Sequence, residues 1–346
     1  MARIVIAGAG AIGASIAYHL AQRGERDVVL CDVSQIASGA TAKAMGGVRQ
    51  QFSTEAEVRL TQASIRFFER LGTPYFDQVG YLFLASTEEG LRGLEERREL
   101  QAKLGVPVER VDPSFVSGLN VDDVRGAVFC PTDGCADPPA VTRRLVVDAG
   151  VEIREETDAV DVDGDVLVIS SGPYSAEVAR RVGVELPVRP LCRQLLETGP
   201  LDLPNSLPMT IEAETGFHFR RRRDRLVLAM VDPEPRWGFD EVVDESLFDD
   251  RLERLAYRYP AASKTAIERA WAGLYDMTPD AHPIIGWVGD GIYAACGFSG
   301  HGFMQSPAVG EAAAAELAGD PPPFDLTPFR LERLDAEASF PETLIL

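Results

Sequence analysis

With 346 residues the chain is long enough for about two ordinary domains, each able to bury a core. Hydrophobic residues at 45% and charged residues at 25% describe a soluble globular protein, and no window approaches the ~18 uncharged apolar residues of a membrane span. The formal net charge of −20 argues against nucleic acid and anionic membrane surfaces as partners, since both would repel the chain.

Residues 3–7 read as a fully buried strand that runs into Gly8-Ala9-Gly10-Ala11-Ile12-Gly13. A helical pattern over 14–23 stops at Gly24, and a second strand over 27–30 ends at Asp32, completing a βαβ unit. Residues 34–53 are rich in small side chains and carry no clear period. An amphipathic helix is expected over 54–71, a strand over 79–86 and a charged helix over 87–104. A further helix is expected over 138–150, then a buried strand over 165–170 that ends in Ser170-Ser171-Gly172-Pro173-Tyr174. The alternation over 188–231 suits antiparallel strands. The arginine run 220–225 then falls at a hairpin tip, where it reads as a solvated turn, with a docking patch for an acidic partner as the alternative. Helices are expected over 245–258 and 261–270, a short strand over 291–295, and a strong helix over 305–317 that Gly319 ends. Glycine-rich strand-to-helix units at both ends, with antiparallel material between them, predict two interleaved domains in an α/β fold with an α+β second domain.

Cys31, Cys130, Cys135, Cys192 and Cys296 are odd in number, and the N-terminus lacks the basic, apolar, small-residue order of a secretion signal. Free thiols and a cytoplasmic location are expected. No His or second Cys pair completes a zinc set around Cys130 and Cys135, so no metal is expected. The glycine string gains meaning from its place between a buried strand and a helix. There the backbone can approach a pyrophosphate, the helix N-terminus stabilises its charge, and Asp32 can accept hydrogen bonds from a ribose. This unit alone does not separate NAD from FAD. Ser170–Ser175 and Gly297-Phe298-Ser299-Gly300-His301-Gly302-Phe303, the latter just before a long helix, add two elements for which a nicotinamide enzyme has no evident use.

The start 8–13, the segment 46–52 (Gly46-Gly47-Val48-Arg49-Gln50-Gln51-Phe52), the stretch 275–286 and the stretch 297–304 together resemble the D-amino-acid-oxidase superfamily of FAD-dependent oxidoreductases. Within it they are most similar to the branch of sarcosine oxidase, dimethylglycine dehydrogenase and the L-proline dehydrogenase β-subunit. The resemblance covers residue 1 to about 320 and implies an FAD-binding Rossmann-like domain interleaved with an antiparallel-sheet substrate domain, of the glycine-oxidase/sarcosine-oxidase type. The FAD domain would take residues 1–75, 135–185 and 275–330, the substrate domain 76–134 and 186–274, and 331–346 would form a C-terminal tail. FAD would be held by Gly8, Gly10, Ile12, Gly13, Asp32, Ala40, Thr41, Met45, Gly46, Gly47, Ala159, Gly172, Gly297, Gly300, His301, Gly302, Phe303 and Met304. Arg49, Tyr275 and His301 are the implied catalytic residues, Arg49 pairing with a substrate carboxylate and Tyr275 lining the substrate site; His282 matches a position near the flavin.

Three departures from the sarcosine oxidases matter. Their flavin-tethering cysteine is Gly273 here, so a non-covalent FAD is expected. Their lysine after GlyPheSerGlyHisGlyPhe is Met304, which removes one carboxylate anchor. The hairpin that supplies their oxygen-activating lysine reads ArgLeuValLeuAlaMet over 225–230, which favours a dehydrogenase. The implied reaction is oxidation of a C–N bond in a small amino acid or secondary amine (sarcosine, proline, glycine or a D-amino acid) by hydride transfer, with an electron-acceptor protein or partner subunit possible. Two alternatives remain at this level: a non-catalytic flavoprotein serving as subunit or assembly factor of a respiratory or dehydrogenase complex, and an NAD-linked dehydrogenase.

Overall fold

A computed structural model describes residues 2–335 and residue 342. Of the expected tail, 331–335 and Glu342 are therefore visible, and the rest lies outside the described residues. The first sheet has six strands in the order Ile284–Gly289, Ile292–Cys296, Val166–Ile169, Ile4–Ala7, Val28–Cys31 and Glu152–Arg154. All its pairings are parallel except that of Ile284–Gly289 with Ile292–Cys296. Ile4–Ala7 and Val28–Cys31 are buried at every position, as strands covered on both faces must be.

The helix Ala11–Gln22 packs against Gly302–Leu317 and Pro138–Ala149. Its seam with Gly302–Leu317 is built of small residues, among them Ala14, Ala17, Ala308 and Ala312, all essentially without exposure. At Gly310 the two helices approach so closely that a Cβ there would lie 2.7 Å from the Ser15 carbonyl carbon. Thr54 caps Glu55–Leu71 by accepting from the Glu57 amide, and Asp137 caps Pro138–Ala149 by accepting from the Ala140 amide. Both long helices beside the glycine motifs begin three residues earlier than their periodicity predicts, at Ala11 and Gly302, because the glycine turns themselves supply the first helical turn.

The second sheet has nine strands. Arg236–Trp237, Arg189–Thr198, Arg225–Ala229, His218–Arg222, Met209–Glu212, Tyr81–Ala85, Gly126–Cys130 and Glu109–Val111 follow one another, and Ile267–Met277 pairs with Arg189–Thr198. Tyr81–Ala85 is buried on both faces: Tyr81 and Phe83 enter the main core, while Leu82 and Leu84 join a second core with Leu226, Leu228 and Leu255. A small third sheet joins Gly47–Val48, Gly134–Ala136 and Phe76–Asp77.

Two expectations are corrected. Residues 261–270 are not a helix: a short 3-10 turn at Pro260–Ala262 leads into the strand Ile267–Met277, whose antiparallel register with Arg189–Thr198 runs from Met277 opposite Arg189 to Ile267 opposite Thr198. The Ala-rich, charged composition favours a helix locally, and long-range pairing overrides it. The arginine run is not wholly a solvated tip either. The strand His218–Arg222 holds its first three arginines, the turn falls at Arg223 and Asp224, and Arg220 is only 7% exposed. All five cysteines are buried and free of disulfides. Among the described residues no helix is long and apolar enough to cross a membrane.

Candidate functional site

One cavity of about 610 Å³ takes its walls from both large sheets. On the side of the first sheet its wall is the glycine turn (Gly8, Gly10, Ala11, Ile12), the end of the second strand (Asp32, Val33, Ser34) and the stretches 37–45 and 170–174. Gly8 has φ +109°, and a Cβ on it would sit 2.6 Å from the Ser170 carbonyl oxygen, so only glycine closes this turn. Gly10 is the N-cap of Ala11–Gln22 and itself supplies no capping side chain. The Ala11 amide donates to Thr41 Oγ1 at 3.1 Å. Asp32 fastens the turn: Oδ2 accepts from the Ala9 amide and Oδ1 from the Ser34 amide, each at 2.8 Å. A helix N-terminus and a glycine turn on the cavity wall, with a carboxylate beside them, are elements that a dinucleotide site uses.

The opposite wall comes from the second sheet and the C-terminal glycine loop, through Arg193, Gln194, His218, Tyr275, Phe298 and Gly300. Gly300 has φ +94°, and a Cβ there would lie 2.5 Å from the Tyr275 ring, so the ring rests directly on the loop backbone. The loop is held from below by Asp276. Its carboxylate accepts from the Gly297 amide at 2.8 Å and its carbonyl from the Ser299 amide at 3.0 Å. Burial pushes the Asp276 carboxyl up to about 6 against these hydrogen bonds. Burial also raises the Tyr275 phenol above its ordinary value, opposed by the positive charges of Arg193 and then Arg49. His218 donates from Nδ1 to the Gly216 carbonyl at 2.7 Å, and burial lowers its pKa to about 4, so the imidazole is neutral at pH 7.

Of the residues expected to hold FAD, Gly8, Gly10, Ile12, Asp32, Ala40, Thr41, Met45, Ala159, Gly172, Gly300, Gly302 and Phe303 line the cavity. Gly13, Gly46, Gly47, Gly297, His301 and Met304 stand outside its wall. The first four of these are packed against neighbouring chain, Gly13 against Gly8 and Ser170, Gly46 against Ala136, Gly47 against Tyr81 and Gly297 against Thr278. Among the three expected catalytic residues Tyr275 is on the wall, whereas Arg49 and His301 sit behind it. Arg49 is 1% exposed. Its Nη1 donates to the Gln51 carbonyl, its Nη2 lies 3.3 Å from His301 Nε2, and its guanidinium stacks 4.0 Å from the Phe52 ring centroid. His282 is likewise inside the fold, its Nδ1 2.7 Å from the Glu57 carboxylate to which Gln305 also donates.

Sequence reasoning missed Arg193, Gln194, His218 and the ion pair of Lys43 with Glu241, all on the cavity wall. Lys43 is one of only three lysines, which was a usable signal; its backbone carbonyl also accepts from Trp271 Nε1 at 3.0 Å. Gly273 faces Arg193 across the strand pair, and a Cβ there would meet the Lys43 side chain at 2.9 Å.

A parallel sheet with a glycine turn, opening into a cavity shared with a largely antiparallel sheet, is the architecture of a dinucleotide-dependent oxidoreductase. The chain belongs to the DAO family of FAD-dependent oxidoreductases, whose family model matches residues 3–316. FAD is accordingly its cofactor, and the fold is that of the glycine-oxidase and proline-dehydrogenase group. It is 24% identical to mitochondrial sarcosine dehydrogenase of Mus musculus over 380 residues, covering 96% of this chain and 41% of that one. It is 30% identical to FAD-dependent oxidoreductase domain-containing protein 1 of Xenopus laevis, covering 92% of this chain and 79% of the relative. Among solved structures, the L-proline dehydrogenase from P. horikoshii superposes with a TM-score of 0.90 at 28% identity, over 96% of this chain and 97% of that one. The chain thus spans about two fifths of the mouse enzyme's length.

Proposed function

We propose that this protein oxidises the C–N bond of a small amino acid or secondary amine, of the sarcosine, proline, glycine or D-amino-acid class, and passes the electrons to an acceptor other than oxygen. The observation that carries this reading is the shared cavity, which brings a dinucleotide turn and the Tyr275–Gly300 wall to one space. Bound FAD supplies the two-electron acceptor. The chain's own part is to hold and to orient. Gly8, Gly10 and Asp32 hold the cofactor's polar end, and Gly273 offers no side chain for a covalent tether. Tyr275 and Phe298 supply an aromatic wall that positions a small substrate and excludes water. Arg49 acts from behind that wall, through its charge and through its contact with His301.

The preference for a dehydrogenase rests on the hairpin Arg225–Ala229, where Ala229 and Met230 face the cavity and no lysine stands. The lysine on the wall, Lys43, is tied to Glu241. An electron-acceptor protein or a partner subunit completes the proposal.

The test is anaerobic mixing of the purified holoprotein with N-methyl, cyclic and D-amino acids, watching the visible flavin band. Rapid bleaching by one class, and slow recovery of colour on admitting air, is the expected result. A yellow protein that no amine bleaches would replace this reading with that of a non-catalytic subunit or assembly factor.

A further inference from the structure

We propose that Arg193 is the residue that binds the substrate's carboxylate, a role that rests on the amino-acid oxidoreductase reading above. Every other cation on the cavity wall is accounted for within the chain: Lys43 pairs with Glu241, Arg181 pairs with Asp158, and His218 is held neutral. Arg193 differs. Its Nε and Nη1 are shut off from solvent, neither meets a hydrogen-bond acceptor, and no carboxylate stands within ion-pair distance among the described residues. Two nitrogens of the guanidinium fork that are shielded and unsatisfied are a local cost that buried polar groups ordinarily avoid. The side chain as a whole is half-buried and lines the cavity, so the remainder of its fork is where an anion can be met.

The strand register shows what kind of partner fits. Arg193 lies opposite Gly273, over which the stem of Lys43 packs, and Tyr275 is two residues further along the same face with its ring centroid 5.7 Å from the guanidinium carbon. The neighbouring acceptor, Gln194 Oε1, is already used by the Asp244 amide at 2.7 Å. An anion held here sits beside an aromatic ring, with Leu195 and Leu274 also on the wall, which suits a small organic carboxylate. Met304, where sarcosine oxidases have a lysine, takes no part in the wall. Arg49, the other arginine in view, donates to Gln51 from behind the wall. The anchoring charge thus comes from the antiparallel sheet of the second half of the fold, on the strand Arg189–Thr198.

The probe pair is benzoate and benzamide, matched in shape and different in charge, titrated against the holoprotein with the visible flavin band as readout. Wild type should bind benzoate more tightly by about tenfold or more, and Arg193→Gln should bring the two to within about twofold. Arg193→Lys, which keeps the charge, should restore part of the preference. Arg193→Met keeps the apolar stem and serves if the glutamine variant does not retain FAD. Because it removes an unsatisfied cation, its Tm should not fall. An unchanged benzoate preference in the neutral variants, or no preference in wild type, overturns the proposal. A Tm loss of several degrees with the preference intact would assign Arg193 a structural role instead. With a substrate in hand, KM should rise about tenfold or more while kcat stays near wild type, whereas a fall in kcat at constant KM also overturns it. A benzoate preference lost with Arg193 in a protein that no amine bleaches would uphold the anchor and reject the oxidoreductase reading, so the two failures are separable.

Discussion

At the scale of single residues, the site's chemistry is set by what burial does to charge. His218 is the cleanest case: its folded pKa, about 4, lies below the ordinary 6.5, with burial as the leading cause. A depressed histidine contributes stability that is present above the unfolded pKa and is lost as pH falls toward the folded one. Between pH 6.5 and 4 the wild type should therefore lose up to roughly 3 kcal/mol that a His218→Gln variant does not lose. Urea unfolding of both proteins across that window measures the difference, and parallel curves would show that His218 is not buried as described. Residue identity was only partly legible from sequence. Arg49, Tyr275 and His301 stood out because of the motifs around them, and all three are in or directly behind the cavity wall. Arg193 stood in no motif. It stands out because its Nε and Nη1 meet no hydrogen-bond acceptor, and acceptors are brought together only by the fold.

Elements follow a different logic. Where apolar residues recur with a clean period, as in 3–7, 54–71 or 138–150, local pattern and final structure agree to within a residue or two. The strand Ile267–Met277 shows what pattern cannot carry. Its first half has the composition of a helix, and only the ten-residue partner Arg189–Thr198, distant in sequence, makes it a strand. Ile284–Gly289 was equally invisible, because it exists through pairing with Ile292–Cys296. The helix seam, by contrast, depends on an absence of atoms. Gly310→Ala would place a methyl group against the backbone at Ser15, and overpacking of this sort costs ~1–3 kcal/mol, partly offset by the ~1 kcal/mol that alanine gains over glycine in a helix. A net loss of about 1 kcal/mol is expected, read as a lower urea midpoint at unchanged slope; a stabilised variant would show that the helices can part at no cost.

For the molecule as a whole, charge is the dominant property. Fifty-four acidic against 34 basic residues leave a self-repelling surface. Raising NaCl from about 0.02 to about 0.3 M should shorten the reach of that repulsion and raise the Tm of the holoprotein, since the Debye length falls well below 10 Å. A flat or falling Tm would show that local ion pairs such as Arg258 with Asp123 and Glu212 outweigh the global field.

The order of strands in the first sheet also has a meaning in time. Ile4–Ala7 leaves the ribosome ahead of its neighbour Val166–Ile169, which follows some 160 residues later, and Ile292–Cys296 must emerge before that strand gains its own outer partner. Gly302 and Phe303, part of the cavity wall, come later still. At ordinary elongation rates of ~5–20 residues per second, the glycine turn waits about 15 seconds or more for the wall that faces it. During that interval the nascent chain carries a nucleotide-binding motif with no complete site around it, and its apolar strands stand open to other partners. Closure of the cavity is thus a late event in the life of each molecule, and a chain cut short before residue 303 would lack part of its wall.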